Sequence, residues 1–111
     1  MPRSVLALSC AMLALLLPAT ALADAIDGHW CHEDGRRMTI DGPAIVTPGG
    51  TAMTGDYDRH GFVYVIPPGE PGAGKRVTMQ LIDEYTVILR TGPDSAKAVE
   101  QVWKRCAKPM A

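Results

Sequence analysis

The sequence predicts an all-β domain: a small antiparallel meander of seven to eight short strands, closed as a barrel or folded as a sandwich, with one disulfide. Three observations lead there. Between residues 28 and 91, short runs rich in β-branched and aromatic residues alternate with Gly, Pro and Asp turn signals. No crossover helices separate those runs, as a parallel βαβ sheet would require. Two cysteines, Cys31 and Cys106, stand near the two ends of the expected mature chain.

The elements follow in chain order. Residues 1–23 read as a cleavable signal peptide. Arg3 supplies a positive charge, Val5 to Leu17 is an uncharged apolar run, and Ala21-Leu22-Ala23 places small residues at the cleavage positions. The run is shorter than the ~20 apolar residues that a membrane span needs. Cys10 lies within it and is expected to leave with it. Residues 24–111 are then a single β domain.

In that domain Gly28 to His32 is the first strand, and Asp34-Gly35 reads as a two-residue hairpin turn. Arg36 to Ile40 follows, with Met38 and Ile40 on one face. Asp41-Gly42-Pro43 turns the chain into Ala44 to Thr47. Pro48-Gly49-Gly50 fits a type II turn with Gly49 at the positive-φ position. Thr51 to Tyr57 reads as one strand in which Gly55 marks a bulge or a close backbone approach. Gly61 to Ile66 is the strongest strand, Phe62-Val63-Tyr64-Val65-Ile66, and its two apolar faces predict a central position covered on both sides.

Pro67 to Gly74 is a loop, since four glycines and prolines in its first five residues exclude regular structure. Lys75 to Ile82 and Tyr85 to Thr91 each alternate apolar and polar residues. The segment from Val99 to Cys106 fits a helix by the spacing of Val99, Val102, Trp103 and Cys106, with Asp94-Ser95 as a cap. It also fits a strand with Val102 and Cys106 on one face and Trp103 and Arg105 on the other. A closing strand better suits a β chain whose last cysteine must reach its first strand.

The balance of charges narrows the partners. Twelve acidic residues and, without Arg3, ten basic ones leave the mature chain at −2. Neither a basic footprint for nucleic acid nor a polybasic stretch for an anionic membrane is present. With Cys10 removed, an even pair of cysteines in an exported chain predicts the bond Cys31–Cys106 and a periplasmic or secreted location.

Gly28-His29-Trp30 opens the first strand, and Arg90 and Arg105 lie late in the chain. In this the sequence resembles lipocalin-type barrels, in which a Gly-x-Trp ring is covered by an Arg from a late strand through a cation–π contact. It is also similar to the small exported bacterial protease inhibitors, which are short barrels with a Gly-x-Trp and one disulfide. The resemblance implies structural roles for Gly28, Trp30 and Arg105 and, in its narrower form, inhibition of a hydrolase. The pattern also looks like small exported bacterial proteins without an assigned role.

Two clusters are candidates for chemistry. His29, His32 and His60 are of metal-ligand type, but His29 and His32 fall on opposite faces of a strand and a disulfide removes Cys31 as a thiolate. No metal or other cofactor is expected. Tyr57, Asp58, Arg59 and His60 form the densest polar group, and Glu70 is the one charge in the Pro/Gly loop. Together they are the expected binding surface. Tyr57, Phe62, Tyr64 and Tyr85 are candidates to line an open barrel end, although a barrel this small is expected to be filled by its own side chains.

Neither a nucleophile elbow nor a phosphate-binding loop occurs, which makes catalysis the least supported reading. The sequence thus predicts a non-enzymatic exported module that binds a protein or envelope component. The alternative is a binder of a metal ion or small polar ligand.

Overall fold

The computed structural model describes residues 25–93 and 98–107. The expected signal peptide, residues 1–23, and the candidate helix cap Asp94-Ser95 lie outside them.

Among the described residues the chain forms nine strands and no helix: β1 (Gly28–Cys31), β2 (Arg37–Asp41), β3 (Ala44–Val46), β4 (Ala52–Thr54), β5 (Asp56–Asp58), β6 (Gly61–Val65), β7 (Arg76–Asp83), β8 (Thr86–Thr91) and β9 (Val99–Arg105). They make one antiparallel sheet in the order β4-β3-β2-β1-β9-β8-β7-β6-β5, curled into a nearly closed barrel. Pairing of the first strand with the last makes β9 a strand. Its residues bond to β8 along its length, and Trp30 and Cys31 of β1 stand opposite Arg105 and Lys104. That register brings Cys31 to Cys106, which form the disulfide at a Cα separation of 5.1 Å.

The strand count exceeds the expected seven to eight because Thr51 to Tyr57 is divided. β4 pairs with β3 and β5 with β6, so the two edge strands of the sheet are consecutive in the chain with Gly55 between them. The Gly55 N–H donates to Pro43 O (2.9 Å). A Cβ there would stand 2.5 Å from the Phe62 ring and 2.6 Å from the Val63 carbonyl oxygen. The chain changes partners at the residue whose missing side chain lets it cross the β6 backbone. Gly55→Ala is therefore expected to destabilise the barrel by about 1–3 kcal/mol, as overpacking does, measured by urea unfolding.

Period-two alternation sends one face of each strand except the edge strands β4 and β5 into the buried core. Met38 and Ile40, Ile45, Phe62 and Tyr64, Val77 and Met79, Val87 and Leu89, and Trp30 and Trp103 make the core. β6 differs from expectation. Phe62 and Tyr64 are buried, but Val65 is 49% exposed on the outer face. A barrel wall is one sheet thick, and a β-branched residue suits its outside as well as a second layer.

Two turns also differ. The 32–36 connection is a three-residue loop in which the Gly35 N–H donates to His32 O (2.9 Å). In the next hairpin the positive φ belongs to Gly50 (93°), not Gly49, and the Gly50 N–H donates to Thr47 O (2.8 Å). Both are tight turns that end on a left-handed glycine, the usual build of slightly longer hairpins.

Candidate functional site

The two ends of the barrel are built differently. At one end the segment Ala25–Asp27 closes the floor. Ile26 is fully buried, its N–H donates to Arg59 O (2.8 Å), and its carbonyl accepts the Trp30 indole N–H (2.8 Å). Arg105 lies over Trp30 with its guanidinium carbon 4.4 Å from the ring centroid. Its Nε, Nη1 and Nη2 donate to the carbonyls of Glu84, Asp27 and Ala25 at 2.6, 2.8 and 3.1 Å. One planar fork thus ties the turn before β8 and the N-terminal segment to the last strand. Gly28 has φ 132°, and a Cβ on it would stand 2.5 Å from Arg105 Nη1. Of the two candidate arginines, Arg105 covers the tryptophan. Arg90 pairs instead with Glu100 (2.9 Å).

The expected binding residues 57–60 belong to this closed end. The Tyr57 hydroxyl donates to Asp27 Oδ1, and the Gly42 N–H donates to Asp27 Oδ2 (2.7 Å). Partial burial opposes the charge of Asp27, but these donors outweigh it and hold its carboxyl below the ordinary value. The same bond pushes the Tyr57 phenol up. Asp58 Oδ1 accepts the His60 N–H (2.7 Å) and shapes the turn. Tyr57 is therefore committed to the floor, while Asp58, Arg59 and His60 remain on the exposed turn.

Glu70 does not join them. It stands at the opposite, open end, where its Oε2 accepts the hydroxyls of Thr47 (2.6 Å) and Thr51 (2.5 Å). Burial works against the Glu70 charge, but both hydroxyls and the N–H groups of Gly49 and Thr51 outweigh it and hold the carboxyl below its usual range. The Pro67–Gly74 loop, itself folded into tight turns, is thereby latched to the 47–51 hairpin. A carboxyl with a lowered folded-state pKa stabilises above its unfolded value and loses that effect as pH falls through the folded one. Hydrogen exchange is accordingly expected to show the Gly49 and Thr51 amides protected near neutrality and released in acid below the ordinary Glu range. Glu70→Gln is expected to show the weakened protection at neutral pH.

The histidines are likewise apart. His29 Nδ1 meets Thr39 Oγ1 on the outer face (3.0 Å), His32 Nδ1 meets Asp34 Oδ1 (2.9 Å), and His60 is on the closed-end turn. No group of three His, Cys, Asp or Glu residues able to hold a metal occurs among the described residues.

At the open end a cavity of about 490 Å³ enters the barrel. Tyr64, Ile66, Val77, Leu89 and Trp103 make its apolar walls, and Arg36, Lys75 and Gln101 add polar groups. β7, β8 and β9 are longer than β1, β3 and β4, so they enclose space that no opposing strand fills. The expectation of a filled barrel is corrected on this point, as is the expected lining. Tyr64 lines the cavity, whereas Phe62 is core, Tyr57 is at the floor and Tyr85 is exposed on a turn.

The rim is preorganised. The Arg36 guanidinium stands 5.2 Å from the centroid of Trp103, and its Nε donates to Asp34 Oδ2 (2.8 Å). Asp34 is held down at about 2 by the Arg36 backbone N–H, with the Arg36 and His32 side chains adding to it. The His32 ring lies against the other part of this group, 5.1 Å from Trp103. Gln101 Oε1 accepts the Trp103 indole N–H (3.1 Å). Burial, helped by the Glu70 charge and opposed by Arg36, pushes the Tyr64 phenol up to about 12.

Sequence reasoning picked out Tyr64 and Glu70 of this site but missed Arg36, Gln101 and Trp103, because Arg36, Tyr64 and the Gln101–Trp103 pair of β9 come from three distant segments. The usable signal was the shared inward parity of Tyr64 and Trp103 near the ends of their strands. Comparison with protein-family models, with curated proteins and with solved structures returns no match to this chain.

Proposed function

We propose that the protein is an exported, non-enzymatic binding module that takes a small, largely apolar ligand in the open end of its barrel. The cavity carries this reading. Its size falls within the ~300–1,000 Å³ of small-molecule sites, and its apolar walls with a few fixed polar groups have the makeup of such sites. The disulfide fits an oxidising compartment, periplasmic or secreted.

The test is a titration of the purified oxidised protein with small amphiphiles, followed by nuclear magnetic resonance shifts of the cavity residues. Leu89→Trp, which fills the cavity, should abolish the shifts. Saturable shifts confined to the open end support the reading; their absence for every amphiphile opposes it.

A second reading keeps the protein or envelope partner. It rests on the exposed turn of Asp58, Arg59 and His60 at the closed end, away from the cavity. Capture of one specific partner from envelope extract, lost with Arg59→Ala and kept with Leu89→Trp, would favour it.

A further inference from the structure

Tyr64 is 5% exposed, lines the cavity, and finds no hydrogen-bond partner for its hydroxyl among the described residues. A buried polar group without a partner is uncommon in proteins and asks for an explanation. Several neighbouring polar atoms are already committed. Glu70 is held by the two threonine hydroxyls, Trp103 by Gln101, and the Arg36 Nε by Asp34. Of the groups that line the cavity, the phenol is the buried one whose donor has no partner among the described residues, whereas Arg36, Lys75 and Gln101 stand at more exposed positions. With its pKa at about 12 it stays protonated at neutral pH, so it can donate and has no anionic role.

On the small-ligand reading above, on which this step rests, we infer that the ligand is an apolar molecule bearing one oxygen acceptor, a carbonyl or a carboxylate, that receives the Tyr64 hydrogen bond. Its body lies on Trp103, Leu89 and Val77. The acceptor sits by Tyr64, where Arg36 is near enough to act on the phenol electrostatically. A pure hydrocarbon would leave the phenol unpaired, and a strongly polar solute would leave the walls unpaired. The site therefore selects an apolar body with a single polar end.

Three probes with one phenyl body separate the possibilities: 3-phenylpropionate, 4-phenyl-2-butanone and propylbenzene, titrated by calorimetry into the oxidised protein and into Tyr64→Phe. The carboxylate or the ketone, or both, should bind the wild type and lose about fivefold to tenfold in affinity in the variant, the loss of one hydrogen bond. Propylbenzene should keep its affinity within twofold. Tyr64→Phe removes an unpartnered hydroxyl, so its thermal midpoint should equal or exceed the wild type, which separates lost recognition from lost fold.

The inference is overturned if the variant weakens all three probes alike, if it weakens none of those that bind, or if propylbenzene alone binds. In those cases the cavity remains a ligand site. If none of the probes binds the wild type and Leu89→Trp changes no titration, the small-ligand reading itself falls and takes the inference with it.

Discussion

Breaking the Cys31–Cys106 bond is expected to lower the stability of the barrel by about 4 kcal/mol, the value a chain-entropy treatment gives for a closed loop of this length. The bond joins positions 75 residues apart, so it ties together nearly the whole domain. In the unfolded state it removes much of the freedom of that loop. In the folded state it sits beside the short pairing of β1 with β9, in which two residues of each strand face one another. The core is small, as in any domain of this length, so the loss is a large part of the total. For a domain of this size it corresponds to a fall of roughly 15–30 °C in the unfolding midpoint. Thermal unfolding with and without reductant, and of Cys31→Ser/Cys106→Ser, measures it. A shift of a few degrees would show that the β1–β9 seam is held by packing alone.

Trp30→Ala is expected to cost about 3–5 kcal/mol, as removal of a fully buried large aromatic does. Trp30 has no exposed surface and touches two kinds of partner at once. Its ring carries the Arg105 guanidinium, and its indole N–H holds the Ile26 carbonyl. Without the ring, Arg105 loses its cation–π contact and the Ile26 carbonyl loses its donor, so the N-terminal segment that closes the floor is loosened together with the core.

Arg105→Lys tests the other half of the arrangement. An ammonium keeps the charge but not the planar fork that reaches three carbonyls, and about 1–2 kcal/mol should be lost. Urea unfolding of both variants and of the double variant gives their coupling. Additive losses would show that Arg105 and Trp30 act separately.

How much of the protein could be read in the chain depends on the range of the interaction involved. The signal for β9 was ambiguous because Val99, Val102, Trp103 and Cys106 satisfy both periods. Pairing with β8 and β1 resolved it. The apolar run of β6 was legible as a strand but not as a wall with an exposed face, since Val63 and Val65 look the same in either setting. Arg105 and Trp30 were legible as partners, although Arg90 was equally available in the sequence and only the strand register separated them. Tyr57, Asp58, Arg59, His60 and Glu70 were drawn together because charge clusters are visible locally. The topology puts Glu70 at the open end and the others at the closed end, and gives Glu70 and Tyr57 to internal hydrogen bonds.

The sequence by itself determined the all-β class, the position of most strands, the shared faces of Met38 with Ile40, Val77 with Met79 and Val87 with Leu89, and the expectation that Cys31 pairs with Cys106. Each of these follows from period-two alternation, turn chemistry or counting, which act over a few residues or none. Only the tertiary structure decided that the barrel is nearly closed through a chain that changes partners at Gly55. It alone decided that one end is plugged by Ala25–Asp27 and Arg105, and that the other keeps a cavity under Tyr64 and Trp103. Those features depend on relative strand lengths and on contacts across tens of residues, which no local pattern encodes.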